Sequence, residues 1–278
     1  MGNCLFLRRG APPFSGPPKG KTLNEYTWEE ISYISSNGLI SEYGFQVGDA
    51  KAITLNGTVG SLALDNYQTY AYIIGINHDT ELEGNNLIHF QLAKTALSGG
   101  TDICFTDGSY NSSGSSAAFR MNTSRTNSGG WEDSYMRNNI CGTSKSTTSG
   151  RIMGAIPAEL RNALKSVTKY TNNNGSSSAS SAVTATTDYF FLLSEYEVFG
   201  NITYSNSYEA NYQQQYAYYS AGNSKVKYRH NSTGSAAIWW LRSLYAGTSG
   251  RFVIVNLGGT VNYDNANYSL GFAPCFCV

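Results

Sequence analysis

The last forty residues constrain the fold most, because a rigid apolar frame there encloses a polar stretch. The frame opens with the run IWWLRS (238–243) and closes with GFAP (271–274) and CFCV (275–278). The stretch between them is polar and studded with aromatic residues. Residues suited to contact, held inside an apolar frame, are typical of a binding surface. The same arrangement is a poor basis for a catalytic site.

The C-terminal part is predicted to be β-structure. We expect strands at 238–242, 251–256, 260–264 and 272–278, with a hairpin turn at Gly258-Gly259. Arg242 is expected to pair with a buried carboxylate or with carbonyl groups. Strands are also predicted at 70–76 and 189–193, and a hairpin over 45–55 with its turn at Gly48-Asp49.

Helices are predicted earlier in the chain. Thr27 and Glu30 form a capping box for the first helix, and a second helix is expected over 131–140. A third begins at Pro157, includes Val167 on its apolar side and carries Lys169 near its end. Ser194 and Glu197 cap a short fourth helix, and 171–181 is a polar loop. Helices early and strands late indicate an α+β fold.

Composition excludes several classes of protein. Nineteen basic and nineteen acidic residues cancel, so the basic footprint of a nucleic-acid-binding protein is missing. Only 14% of residues are charged, whereas Tyr (21) and Gly (29) are abundant. A surface of Tyr, Asn, Ser and Thr hydrogen-bonds broadly, as antibody paratopes do. An ordinary β-rich protein with many loops is the alternative interpretation.

The sequence predicts no catalytic or metal site and no cofactor. The five cysteines are scattered without a CxxC pair, so buried thiols are expected rather than disulfides, and three histidines are too few for a zinc site. Asn77-His78-Asp79 has the composition of a catalytic or metal turn, but such residues beside a strand more often satisfy local backbone groups. Glu195 and Glu197 are a carboxylate pair, yet capping explains Glu197 better.

Domain organisation is predicted to be simple. Residues 1–20 form a Pro/Gly-rich N-terminal arm, and residues 21–278 form a single domain. No apolar run approaches the ~18 residues of a transmembrane helix, and no Sec-type leader is recognised. We therefore expect no membrane insertion.

The C-terminal motifs carry a family resemblance. WLRS (240–243), Phe252, Val255-Asn256, Gly259, Ala266, Ser269 and GFAP (271–274), in this order, resemble the variable region of diversity-generating retroelement target proteins, such as the phage major tropism determinant and its gut-phage relatives. The resemblance implies a C-type-lectin-like fold, close to that of formylglycine-generating enzymes, with a variable region at about 239–274. It also implies that a retroelement rewrites the region with errors at template adenines.

A feature of the segment supports this resemblance. Asn codons altered at adenines cannot yield Lys, Glu, Gln, Met or Trp. These five types make up about an eighth of the chain, yet none occurs in 244–270, where about three would be expected. The loop 171–181 lacks them as well, so the pattern supports the resemblance without proving it.

Further landmarks extend the resemblance over most of residues 20–278, and some positions depart from it. Many relatives carry Arg where Ala273 stands, and the calcium motifs of sugar-binding lectins and the active cysteine pair of formylglycine-generating enzymes are absent. The upstream landmarks are TWEEI (27–31), VGD (47–49), IIG (73–75), NHD (77–79), GGW (129–131), MR (136–137) and LLSE (192–195).

Two sets of residues follow from the residue types and the resemblance. Scaffold positions are expected to be buried or fixed, and they are Trp239, Trp240, Leu241, Arg242, Phe252, Val255, Gly271 and Phe272. Variable contact positions are expected to be exposed and clustered, and they are Leu244, Tyr245, Gly247, Thr248, Gly250, Arg251, Val253, Leu257, Thr260, Asn262, Tyr263, Asp264, Asn265, Asn267, Tyr268 and Leu270. From the residues alone, an ordinary hairpin with Tyr and Asn at its turns is the alternative.

The resemblance predicts a hypervariable ligand-binding display protein that is not an enzyme. The expected setting is a phage tail or a bacterial cell surface, and the expected partner is a protein or glycan on a host cell. Related display proteins are often trimeric, so a homo-oligomer fits. The alternative is a structural virion or surface protein with a fixed subunit interface. A formylglycine-generating type of enzyme is a distant third.

Overall fold

A computed structural model describes residues 16–278 of the chain. Its architecture is mixed α and β, with mostly antiparallel sheets and few, short helices, as the α+β prediction requires. The α-helices are α1 (Trp28–Ser36), α2 (Thr80–Glu83), α3 (Ile152–Ala155), α4 (Ala158–Ala163), α5 (Glu195–Phe199) and α6 (Ala217–Ser220). Short 3₁₀ segments lie at Leu23–Glu25, Ser180–Ala182 and Ser207–Tyr212, and a π-helical turn lies at Met136–Cys141.

The strands of residues 16–278 fall into five sheets, of which the largest has five strands in the order β1-β2-β3-β15-β8. The strands are β1 (Ala50–Val59), β2 (Leu62–Ile76), β3 (Ile88–Lys94), β4 (Ile103–Cys104), β5 (Ser112–Ser113), β6 (Val167–Asn172), β7 (Val183–Asp188), β8 (Phe190–Phe191), β9 (Lys227–Arg229), β10 (Ser232–Ala237), β11 (Trp239–Leu244), β12 (Arg251–Val255), β13 (Val261–Asn265), β14 (Tyr268–Ser269) and β15 (Cys275–Cys277).

The central sheet places the C-terminal strand beside strands from the first hundred residues. The C-terminal strand β15 lies between β3 and β8, and Phe276 is paired with Phe90 on one side and Phe190 on the other. The rings of Phe90 and Phe276 stack at 5.3 Å, and Trp28 of α1 meets both edge-on. Cys275 and Cys277 are fully buried in the same strand. The apolar end of the sequence is therefore a central strand of the core.

A second sheet, in the order β11-β12-β13, carries most of the predicted contact segment. β12 and β13 form the expected hairpin, and Gly259 in its turn has a φ of +80°, a conformation that favours glycine. The sheet is attached to the end of the chain by a parallel bridge between Trp239 and Gly271. The late hairpin predicted from the Gly-Gly turn is confirmed.

Capping predictions are confirmed at two helices. Thr27 accepts a hydrogen bond from the amide of Glu30, and Ser194 accepts one from the amide of Glu197. In both cases the glutamate carboxylate accepts a hydrogen bond from the backbone amide of the capping residue. These boxes fix the start of α1 and of α5.

Three predictions of local structure were wrong. The helix that follows Pro157 ends at Ala163, because Val167–Asn172 pairs over its whole length with Val183–Asp188. The predicted hairpin over 45–55 is replaced by the pairing of β1 with β2, which turn at Gly60-Ser61. The helix expected over 131–140 is a series of turns before Met136–Cys141.

The predicted N-terminal arm lies mostly outside the described residues, which begin at 16. The part that is described packs on the body of the protein. The Tyr43 hydroxyl donates to the carbonyl of Pro17 at 2.6 Å, and the Tyr26 hydroxyl donates to that of Pro18 at 2.8 Å. None of the helices between residues 16 and 278 combines the length and hydrophobicity that a membrane span requires.

Candidate ligand-binding surface

The frame around the contact segment is buried, as predicted. Trp240 donates its indole N–H to the carbonyl of Phe119 at 2.9 Å. Gly271 is packed so closely that an added Cβ would lie 2.4 Å from Sγ of Cys104 and 2.9 Å from the carbonyl of Ile238. The predicted scaffold residues that are buried are Trp239, Trp240, Leu241, Arg242, Phe252, Val255, Gly271 and Phe272.

Arg242 is fully buried and is neutralised by Glu197. Its Nη2 donates to Oε1 of Glu197 at 3.0 Å, its Nη1 donates to Oε2, and its Nε donates to Thr171 at 2.9 Å. Lys169 contacts the same carboxylate at 3.2 Å. Burial alone would raise the pKa of Glu197, but Arg242 and Lys169 lower it well below its usual range. The frame strand β11 is thereby tied to α5 and β6.

The ion pairs continue into a buried polar network. Lys169 Nζ lies 2.6 Å from Oε1 of Glu83 and 3.1 Å from the hydroxyl of Tyr216. The His89 ring lies between Glu83 and Tyr216. Its Nε2 is 3.2 Å from Oε2 of Glu83, and its Nδ1 is 3.0 Å from the hydroxyl of Tyr216. Sequence analysis missed this network because its members lie far apart in sequence and Lys169 was assigned to a helix.

His78, Asp79 and Glu197 could form a cation site by distance, since one potential ligand atom from each lies within 4.8 Å of the others. However, both oxygens of Glu197 already accept hydrogen bonds, from Arg242, Lys169 and the amide of Ser194. The carboxylate of Glu197 is therefore already engaged by Arg242 and Lys169. We interpret the cluster as a structural ion-pair network.

Three of the predicted contact residues form one partly exposed cluster. The rings of Tyr245 and Tyr263 stack at 4.2 Å with 2° between their planes, and the Arg251 guanidinium lies 4.8 Å from the Tyr263 ring. Tyr204 meets both tyrosines edge-on, at 5.6 Å and 4.9 Å. Tyr204 was missed because it lies about forty residues upstream, in a segment without periodicity.

The loop that carries this cluster is held through its backbone. The amide group of Asn127, which is fully buried, donates to the carbonyls of Thr248 at 2.7 Å, Arg251 at 3.1 Å and Tyr245 at 3.4 Å. The Asn127 backbone N–H donates to the carbonyl of Ser249 at 2.9 Å. These bonds do not depend on the side chains of the loop, so the loop can keep its path when those side chains change.

Other predicted contact residues lie away from the cluster. Leu257 and Thr260 are exposed at the turn of the hairpin, at the far end of β12 from Arg251. Tyr268 pairs with Ser113 of β5, with Asn267 beside it. Gly247 and Thr248 lie in the loop of the cluster. The contact segment therefore forms a central patch with two outlying parts.

Four predicted contact positions are buried, and their assignment to a variable surface was wrong. Leu244, Val253 and Leu270 are completely buried. Gly250 is buried too, and an added Cβ would lie 3.0 Å from Cγ of Arg125 and 3.1 Å from its carbonyl. Side chains alternate between the faces of a strand, so a segment that crosses two strands cannot expose every residue. These four positions belong to the frame.

β13 is the outer strand of its sheet, and its outer edge is unpaired among residues 16–278. The backbone amide of Ala266 donates to the carbonyl of Gly250, and the backbone amide of Asn256 donates to the carbonyl of Thr260. These two bonds show which residues of β13 direct their backbone groups toward β12. The amides of residues 261, 263 and 265 consequently point away from β12.

Two of these outward amides are satisfied by the side chain that precedes them. The amide of Tyr263 donates to Oδ1 of Asn262 at 2.9 Å, and that of Asn265 donates to Oδ1 of Asp264 at 2.7 Å. Asn262 and Asp264 therefore use one oxygen each to block donors on the open edge. An edge with few free donors is less able to pair with another strand.

The comparison with protein families matches residues 109–278 to a family described as "Domain of unknown function (DUF6273)". The chain belongs to the DUF6273 family. Comparisons with curated proteins and with solved structures found no match. The DUF6273 region contains the whole contact segment, its buried frame, Asn127 and Tyr204. It begins after β1, β2 and β3, which form more than half of the central sheet.

Proposed function

We propose that this DUF6273 protein is a hypervariable ligand-binding display protein diversified by a retroelement, with a C-type-lectin-like fold. Its setting would be the receptor-binding or tail-tip part of a phage, or a bacterial cell surface. The observation that carries the proposal is the partly exposed cluster of Tyr245, Tyr263 and Arg251 on a backbone held by Asn127. Beneath it lies a completely buried frame.

The physical basis of the proposal is the separation of contact from packing. Substitutions at exposed positions away from special features typically change stability by less than ~0.5 kcal/mol. Tyrosine offers a large contact area with two rotatable bonds to fix, and Arg is enriched at interface hot spots. Presentation of several copies on one particle would convert weak single contacts into avidity for a target on a host cell.

A substitution library tests the proposal directly. Every residue from 244 to 270 is replaced singly, and folding is scored by resistance to a protease. Exposed positions such as Ser249 and Thr260 should accept most residues, whereas Val253, Leu270 and the frame should accept few. A uniform profile, with exposed and buried positions equally sensitive, would contradict a variable surface on a fixed platform.

A triple variant, R251A with Y263A and Y268A, distinguishes the display protein from the alternative, a structural protein with a fixed subunit interface. A display protein should keep its folding and its oligomeric state when these contact side chains are removed. A protein whose aromatic patch makes a fixed subunit contact should lose assembly, which sedimentation velocity would show.

The burial of the C-terminal thiols argues against the alternative of a formylglycine-generating type of enzyme. Burial raises the pKa of Cys275 and of Cys277, so neither readily provides a thiolate nucleophile. Thiol titration of the folded protein should find both unreactive near neutral pH.

A further inference from the structure

A second aromatic segment adjoins the contact cluster. Tyr204 meets Tyr245 and Tyr263 edge-on, and the chain then continues into the 3₁₀ segment Ser207–Tyr212. Tyr208 is 42% exposed and Tyr212 is 37% exposed, which is unusual for large side chains in this protein. Tyr208 lies four residues from Tyr204, within about 14 Å by chain length. The segment 203–212 thus extends the aromatic surface beyond the hairpin.

A buried carboxylate holds the start of this segment. Glu195 is completely buried, and its carboxylate accepts hydrogen bonds from three successive backbone amides. They come from Thr203 at 2.6 Å, Tyr204 at 3.0 Å and Ser205 at 2.7 Å. Charge-assisted bonds of this kind are stronger than neutral ones. Glu195 therefore fixes the position from which the Tyr204 ring reaches the hairpin.

Further bonds fix the rest of the segment to the frame. Asn206 donates to the carbonyls of Ser177 and Ala179 at 3.2 Å and 2.9 Å. Glu209 accepts from the hydroxyl of Ser243, on the frame strand β11, at 2.7 Å. As in the hairpin loop held by Asn127, buried polar side chains hold the backbone. The rings of Tyr208 and Tyr212 remain exposed, with that of Tyr212 stacked on Tyr170 at 4.3 Å.

We infer that segment 203–212 is the fixed half of a two-part binding surface, with Glu195 as its positioning residue, and that the surface takes a protein partner that offers a carboxylate to Arg251. This inference rests on the proposed function. The hairpin would supply the changeable contacts. Tyr204, Tyr208 and Tyr212 would supply constant ones.

The chemistry of the surface favours a protein partner. Small molecules bind in concave sites. A cavity of about 680 Å³ lies away from this surface, lined among others by Lys21, Asn24 and Lys94. Tyrosine and arginine are enriched in protein interfaces. Among residues 16–278 the Arg251 guanidinium makes no hydrogen bond, so its paired N–H donors remain available for a carboxylate.

The test uses the full chain displayed on yeast. Positions Thr248, Ser249, Asn265, Asn267 and Tyr268 are randomised, and binders are selected against bovine β-lactoglobulin, an acidic protein. Y204A, Y204F, E195Q and R251A are then introduced into each binder, with Y33A on α1 as the matched tyrosine control. Affinity for β-lactoglobulin, melting temperature and hydrogen exchange of the amides of residues 203–205 are measured.

The inference predicts that Y204A and R251A each weaken binding by about tenfold or more. Y204F should stay near the parent, because it keeps the ring, and Y33A should stay within about twofold. E195Q should speed hydrogen exchange of the backbone amides of residues 203–205. It should also weaken binding more than a variant elsewhere in the chain that lowers the melting temperature by the same amount.

Several results would overturn the inference. Binders that keep their affinity in Y204A would exclude segment 203–212 from the surface and leave the proposed function intact. Folded libraries that yield no binder would count against the proposed function itself. Retention of the unaltered chain on a printed panel of oligosaccharides, lost in Y204A, would overturn the assignment of a protein partner.

Discussion

At the scale of single residues, Arg242 and Arg251 have the same side chain and opposite roles. Arg242 is completely buried and paired with Glu197, whereas Arg251 is partly exposed and lies against Tyr263. The sequence predicted that Arg242 pairs with a buried carboxylate or with carbonyl groups, but it identified Glu197 only as a helix cap. The partner could not be named because it lies 45 residues away and is reached only through the fold.

The two arginines give a matched prediction. Removing one member of a buried ion pair leaves an uncompensated charge, so R242A should lower the free energy of unfolding by about 3–5 kcal/mol. R251A should lower it by less than ~0.5 kcal/mol. Urea denaturation followed by tryptophan fluorescence measures both, and similar losses in the two variants would contradict the assigned roles.

Glu209 predicts a pH dependence of stability. Burial raises the pKa of Glu209 from 4.5 to about 7, so the folded protein holds this proton more tightly than the unfolded chain. Its contribution to stability is therefore full below pH 4.5 and is lost as the pH rises through about 7.

The measurement compares the unaltered protein with E209Q from pH 4.5 to pH 8. The stability of the unaltered protein relative to E209Q should fall by roughly 3 kcal/mol over this interval. E159Q, which removes an exposed carboxylate of α4, is the control. Parallel pH curves for the unaltered protein and E209Q would show that Glu209 is ionised throughout.

At the scale of elements, turn and capping signals were more informative than the apolar pattern of the middle of the chain. The Gly258-Gly259 hairpin and the Ser194/Glu197 box were predicted correctly because each is specified by a few adjacent residues. Val167 and Lys169 were placed in a helix, but the β-branched residues around them pair with β7. That pairing partner follows a polar loop, so local periodicity could not reveal it.

The open edge of β13 gives a prediction at this scale. N262A combined with D264A removes the side-chain oxygens that cover the amides of Tyr263 and Asn265. Exposed donors on an edge strand promote pairing with a second chain. Sedimentation velocity should show concentration-dependent self-association of the double variant, whereas N267A, outside the edge, should behave as the parent. A monodisperse double variant at high concentration would mean that the two side chains do not protect the edge.

At the scale of the whole molecule, the DUF6273 region does not contain a complete central sheet. β15 belongs to this region, but its neighbour β3 lies upstream, and β1 and β2 continue the sheet from there. Phe276 packs on Phe90 and Trp28, both outside the family match. The family region and the N-terminal part therefore share one core.

A fragment of residues 109–278 should fail to fold alone. It would expose β15 and the apolar face that β3 and α1 cover, so its circular dichroism should show no cooperative thermal transition. Residues 16–278 should melt in a single step under the same conditions. Cooperative melting of the fragment near the temperature of the longer chain would show that the family region is independent.

The candidate site was predicted only in part, for a physical reason. Composition and order of residues marked 244–270 as a contact segment on an apolar frame, and Tyr245, Arg251 and Tyr263 do meet on one face. The buried positions Leu244 and Val253 were misassigned, because residue type does not state which face of a strand points outward. Tyr204 and Asn127 come from distant parts of the sequence and carry no local signal of their role.

The central claim is that the exposed and partly exposed residues within 244–270 are rewritten in nature, while the buried frame, which includes Leu244, Val253 and Leu270, stays constant. The most direct measurement is to sequence the DNA around the gene in many isolates. The account predicts a near-copy of the 3′ coding end that differs at template adenines and a neighbouring reverse transcriptase gene. It also predicts amino-acid differences concentrated at partly or fully exposed positions such as Tyr245, Thr260 and Tyr263. A locus without the copy, with differences spread evenly over frame and surface, would contradict it.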